Sequence, residues 1–190
     1  MAGDRPYLAA MAPPAPITAD ELLRLSIPNK RVELVRGTLV VREPTGARHG
    51  RVTARLTAPL ADFVQANGLG QVYAAETGFK LAGNPDTVRA PDIAFISRGR
   101  LTDPEPLGYP SLAPDLVVEV LSPSDRPGET LNKVAEWLDA GSRVVWVVDP
   151  ERRLVRVYRQ DGGETLVSAD DALSGEDVVP GFSCPLADIL

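Results

Sequence analysis

"LVVEVLSPSDRPGETLNKVAEWLDAGSRVVWVVDP", residues 116–150, holds the pattern that decides the fold. Its two ends, LVVEVL and RVVWVVDP, are short apolar runs of the kind found in strands covered on both faces. Between them, GETLNKVAEWLDAG reads as a helix closed by Gly141. Strand, helix and strand in that order imply a right-handed crossover and a parallel pair. The class is therefore α/β, a mixed sheet with helices on it. One residue stands out. Glu119 lies in the middle of LVVEVL, where an ionised carboxylate needs a metal, a cation or a proton to offset its burial. Strand alternation puts Leu116, Val118 and Val120 on one face and Val117, Glu119 and Leu121 on the other.

Two further residues bear on Glu119. Asp92 opens the strand in "RAPDIAFI". An Asp after Pro at a strand entrance is ordinarily turn chemistry. If that strand lies beside LVVEVL, however, Asp92 and Glu119 converge on one ion. The competing reading pairs Glu119 with an arginine such as Arg89. Lys133 is one of three lysines in a chain with 17 arginines. Its ammonium is a point charge able to orient or deprotonate a water, which a guanidinium does poorly. Lys133 falls in the early turns of the helix, near the carboxyl end of the strand. At 100° per residue it nevertheless lies about 140° from the centre of the Leu131, Val134, Ala135, Leu138 face, the position of a surface lysine.

Outward from this core, "TADELLRL" carries a Thr18-x-x-Glu21 capping box and predicts a helix over about 18–26. "RVELVRGTLVVRE" alternates about Arg36-Gly37 as a hairpin, which turns Glu33 to solvent. "RHGRVTARLTAPLADFVQANG" sets Val52, Leu56, Leu60, Phe63 and Val64 at helical spacing, with Gly68 at its end and Pro59 expected to kink it. "QVYAAET" and "GFKLAG" are strand candidates, residues 97–114 a long Pro/Gly-rich loop, and "RRLVRVYRQDGGETLVS" a second hairpin. Tyr109 and Trp137 read as packing.

Composition bounds the function. At 44% hydrophobic the chain can bury a core, and no apolar run approaches the roughly 18 residues of a membrane span. "MAGDRPYLAAMAPPAPIT" is a poor signal peptide, so residues 1–17 read as a flexible arm before a single domain over 18–190. The lone Cys184 excludes an intrachain disulfide and suits the cytoplasm, the expected location. A net charge of −6 argues against a surface that grips nucleic acid all over. Residues 1–100 nonetheless hold 13 basic against 9 acidic side chains, and residues 101–190 hold 7 against 17. The basic excess lies around "NKRVELVRG" and "RHGRVTARL", either a solvated mixed surface or a local phosphate-facing patch. There is no GxGxxG, P-loop, HExxH or GxSxG, and one His and one Cys cannot make a zinc site. Metal chemistry here must rest on oxygen ligands, which favours Mg²⁺ or Mn²⁺.

"RAPDIAFI", "PDLVVEVLSPS", "KVAEWLDAG" and "VVWVVDP" together resemble the Uma-two family of the restriction-endonuclease-like PD-(D/E)XK superfamily. "RVELVRGTLVV", His49 before the long helix and the closing "VVPGFSCPLADIL" extend the likeness from about residue 18 to the end. The resemblance implies a central four-stranded mixed sheet flanked by helices. It also implies a site in which Asp92, Glu119 and the Val120 carbonyl hold the metal while Lys133 serves the attacking water. Leu121 stands where the superfamily pattern has a lysine, so the helix lysine takes that part. Glu33 and His49 match recurrent positions of second rank, and His49 is expected as a contact at the helix N-terminus. The implied activity is that of a metal-dependent endonuclease acting on nucleic acid, DNA foremost, as a homodimer suited to two cuts across a duplex and without a membrane partner. The alternative is an inactive nuclease fold serving as a nucleic-acid-binding or assembly module, which the acidic C-terminal half and Leu121 favour. A third reading is a metal enzyme acting on a small phosphorylated substrate.

Overall fold

Thr18 starts the first helix as the capping box requires. Its hydroxyl accepts the Glu21 N–H at 3.2 Å, and the Glu21 carboxylate accepts the Thr18 N–H at 2.8 Å. This helix, α1, covers Ala19–Arg24. The computed structural model describes residues 15–102 and 105–190, so most of the segment read as an arm lies outside the described residues. Ile17 is within them, and its N–H donates to the Gly37 carbonyl at 2.9 Å.

The hairpin follows as β1 (Arg31–Val35) and β2 (Thr38–Arg42). Its two turn residues, Arg36 and Gly37, both have positive φ, 48° and 75°, matching the right-handed twist of the strands. Helix α2 (Ala47–Ala66) is continuous through Pro59. Strands β3 (Gly70–Ala74), β4 (Phe79–Ala82), β5 (Thr87–Arg89) and β6 (Ile93–Ser97) come next. After the long loop come β7 (Leu116–Val120), α3 (Pro127–Asp139) and β8 (Val144–Asp149). The chain closes with the hairpin β9 (Leu154–Arg159) and β10 (Glu164–Ser168), the short pair β11 (Ala172–Ser174) and β12 (Ser183–Pro185), and α4 (Leu186–Ile189).

The central sheet has six strands in the order β10-β9-β8-β7-β6-β3, two more than the four expected. β7 and β8 form its parallel pair, and the remaining pairs are antiparallel. A separate antiparallel sheet runs β2-β1-β5-β4. Thus β3 and β4, adjacent in the chain, belong to different sheets. The three-residue β5, too short to show a period, joins the hairpin to β4.

Side-chain alternation sorts the core as expected. Leu116, Val118 and Val120 pack with Val52, Leu56, Leu60 and Val64 of α2 and with the C-terminal Phe182, Leu186 and Ile189. Burying each such side chain contributes roughly 2 kcal/mol. Val117, Val145 and Val147 face the other way, against Val134 and Trp137 of α3 and Phe79 of β4. A third cluster joins α1 to the small sheet through Leu22, Leu34 and Val88. Among the described residues no helix is long and apolar enough to cross a membrane.

Candidate active site

The β6–β7 register brings the two carboxylates together. Ile93 pairs with Val118 in antiparallel fashion, and Asp92, just before β6, donates its N–H to the Val118 carbonyl at 3.1 Å, next to Glu119. Ala94 and Ile96 lie in the α3-side cluster, so alternation directs Asp92 to that side, the one Glu119 occupies. Both carboxylates line one cleft, together with Arg31, Glu33, His49 and Lys133. Asp92 is only 2% exposed and does no turn duty. Its Oδ2 accepts the Val120 N–H at 2.8 Å and lies 3.1 Å from His49 Nε2, while its Oδ1 accepts from Arg31 at 3.2 Å. His49 thus reaches across from the first turn of α2 to the strand instead of tending its own helix end.

Glu119 is held from α3. Lys133 Nζ donates to its Oε2 at 2.8 Å, and Trp137 Nε1 donates to its Oε1 at 2.9 Å. Lys133 thus reaches back to Glu119, as the resemblance implies, and not to the surface where its helical angle alone would set it. Leu131 is 52% exposed, whereas Val134 and Trp137 are buried. The inward face of α3 runs through 130, 133, 134 and 137 because the short second sheet covers that side of the helix. Arg89 does not pair with Glu119, and Trp137 does more than pack.

Glu33 is 5% exposed, contrary to the solvent-facing position expected from the hairpin. Its strand is sandwiched. Leu34 meets α1 on one face, and Glu33 meets the cleft on the other. Glu33 accepts from Arg89 at 3.0 Å and from the Ala90 N–H at 3.0 Å, and lies 3.2 Å from Lys133. Arg89 also donates through Nε to Glu136 of α3 at 2.7 Å. Sequence reading missed Arg31 and Glu136 as members of this network and offered Arg89 to Glu119 instead of to Glu33. Trp137 was legible as a neighbour of Lys133, four residues on and one turn along.

The electrostatics follow from burial. Burial pushes the Glu119 carboxyl up to about 7; Lys133 opposes that rise, while Asp92 and Glu33 add to it. Burial alone would lower Lys133, but Glu119 and Glu33 outweigh it and hold the ammonium above its ordinary range. Burial would likewise raise Asp92 and Glu33. Asp92 is instead held low by His49, the Val120 N–H and Arg31, and Glu33 by Lys133, Arg89 and the Ala90 N–H.

Each site carboxylate has one oxygen fixed by a rigid donor and one met by a flexible cation. Asp92 Oδ2 and Glu119 Oε1 are held by a backbone amide and an indole. Asp92 Oδ1 and Glu119 Oε2 meet Arg31 and Lys133, long side chains that can yield to a dication. Among the described residues no three His, Cys, Asp or Glu side chains are grouped closely enough to cage a metal by themselves. A two-carboxylate donor set suits Mg²⁺, which keeps waters and substrate phosphates as its other ligands.

A mixed sheet with one parallel strand pair, a helix on each face and two carboxylates lining a cleft beside β6 and β7 defines a restriction-endonuclease-like α/β protein. Residues 19–187 match the Uma2 family, described as "Putative restriction endonuclease", and the chain belongs to that family. Among solved structures it is similar to one described as "a putative nuclease belonging to DUF820" from Anabaena variabilis. The TM-score is 0.78 at 21% identity, over 92% of this chain and 97% of that one, a likeness of fold. No curated protein matches the chain.

Proposed function

We propose that the protein is a divalent-metal-dependent endonuclease that hydrolyses phosphodiester bonds of nucleic acid, DNA foremost. The observation that carries this reading is Asp92 at the entrance of β6, its carboxylate on the Val120 N–H beside Glu119 of β7, with Lys133 hydrogen-bonded to Glu119 and all three on one cleft. Asp92 and Glu119 would hold Mg²⁺ or Mn²⁺ through the oxygens that now meet Arg31 and Lys133. Such an ion, when bound, offsets charge building on the phosphoryl oxygens and acidifies a water.

The chain's own groups do the rest. Trp137 and the Val120 N–H fix the two carboxylates in rotation. Glu33, 3.2 Å from Lys133, gives the ammonium a second anionic partner. Because its carboxylate neighbours keep Lys133 protonated, it orients the attacking water and stabilises anionic charge; it is not the base. Leu121 leaves the usual lysine position empty of charge, and Lys133 supplies that charge from the helix.

Cleavage of plasmid and oligonucleotide duplexes with Mg²⁺ or Mn²⁺ tests the reading. The wild type is expected to cut, and Glu119→Ala to lose at least about 10²-fold in rate. Cleavage that survives Glu119→Ala would refute the site, and a wild type that never cuts would leave an inactive binding module.

A further inference from the structure

Arg48, Arg51 and Arg55 are exposed on α2, and among the described residues none of them makes an ion pair or side-chain hydrogen bond. At 100° per residue the three fall within an arc of about 60°, a stripe about 10 Å long. The chain has no Asp or Glu from residue 44 to residue 61, and the one acidic residue of α2, Asp62, lies nearly two turns beyond Arg55 on the same face, so the stripe ends there and its first two turns carry no offsetting charge.

Their position opposes ordinary helix electrostatics. The first turn of α2 contains no acidic residue, and its N-cap is Gly46, with no side-chain cap hydrogen bond. The partial positive charge of a helix N-terminus disfavours cations there. Arg48 and Arg51 therefore sit in a field that repels them, beside uncapped N–H groups that attract anions. An anionic partner relieves all three conditions together. The stripe also begins at the cleft, since Thr45 and His49, which flank Arg48, line it, as does Arg42 at the end of β2.

We infer that the exposed face of α2 is a backbone-phosphate track that leads one nucleic-acid strand from the Asp92–Glu119 cleft past Arg48, Arg51 and Arg55. This deepens the proposed function and rests on it for the identity of the polyanion. A duplex carries a charge every 3.4 Å or so along each strand, so a stripe of this length meets several phosphates. Phosphate contacts position a strand without reading its bases, so the track selects nucleic acid and no sequence.

The test is fluorescence anisotropy of a labelled duplex across a salt series, with Ca²⁺ to prevent cutting. Neutralising the triplet, R48Q/R51Q/R55Q, is expected to weaken binding at least tenfold at low salt and to lower the slope of log K against log salt by about 2 to 3. The Arg→Lys triple variant should restore most of both, and the thermal midpoint of the Gln variant should equal or exceed that of the wild type. Unchanged affinity and slope in the Gln variant overturn the track even where the wild type cleaves. Tight binding of anionic lipid vesicles with no duplex binding overturns it as well. Stripe-dependent binding by a wild type that does not cleave supports the track while removing the catalytic reading.

Discussion

The Asp92 side chain accepts the main-chain N–H of Val120, the residue after Glu119, at 2.8 Å. One carboxylate therefore closes the β6–β7 edge and also faces the cleft. Strand pairing and site geometry are the same contact.

Replacing Asp92 separates these roles. Asp92→Asn keeps an oxygen for Val120 and is expected to stay folded while losing Mn²⁺ binding by calorimetry. Asp92→Ala leaves a buried N–H without a partner and is expected to cost on the order of 2 kcal/mol in urea unfolding. Equal stability of the two variants would show that the Val120 contact contributes little.

Glu119 makes metal-free stability depend on pH. Its carboxyl is raised from 4.5 to about 7, so between those values the folded chain holds a proton that the unfolded chain has released. The linked stabilisation is fully present below about 4.5 and is lost as pH rises through about 7, amounting to roughly 3 kcal/mol at most. Asp92 and Glu33, both held low, act in the opposite sense and lose their contribution only as pH falls below the ordinary carboxylate range. In EDTA, wild type is expected to lose stability relative to Glu119→Gln between pH 5.5 and pH 8. Mn²⁺ affinity should rise across the same interval, because the ion and the proton compete for one carboxylate.

Lys133 can be probed by keeping or removing its charge. Lys133→Met leaves Glu119 with Trp137 alone, and protonation of the carboxyl limits the penalty to about 2 kcal/mol at pH 8, less at pH 5.5. Lys133→Arg keeps a cation but presents a planar fork where a point charge stood. Its stability is expected to stay near wild type while cleavage falls about 10²-fold. Full activity in Lys133→Arg would mean that charge alone is required there.

Much of the architecture was legible. The apolar runs around 93–97, 116–120 and 144–149 form strands whose faces sort as expected, and Thr18, Gly68 and Gly141 mark helix ends. Two readings of local pattern misled for related reasons. Glu33 reads as solvent-facing because an isolated hairpin has one free face, yet here α1 covers the Leu34 face of β1 and Lys133 of α3 meets Glu33 on the other. For Lys133, the resemblance points to the site while helical angle alone points outward; the angle misleads because it counts Leu131 into the apolar face of α3, yet Leu131 is exposed and the inward face is set by what lies across from it.

The sequence by itself determined which residues share a face within each element, because side-chain direction follows from the repeat of the backbone. That was enough to set Glu119 apart and, with strand adjacency assumed, to pair it with Asp92. Only the tertiary structure decided which partners arrive from elsewhere. Arg89 and Glu33 are 56 residues apart in the chain, and Trp137 and Glu119 are 18 apart. Contacts of that kind are fixed by how sheets and helices pack, since a buried charge accepts whichever counter-charge packing delivers within hydrogen-bond reach.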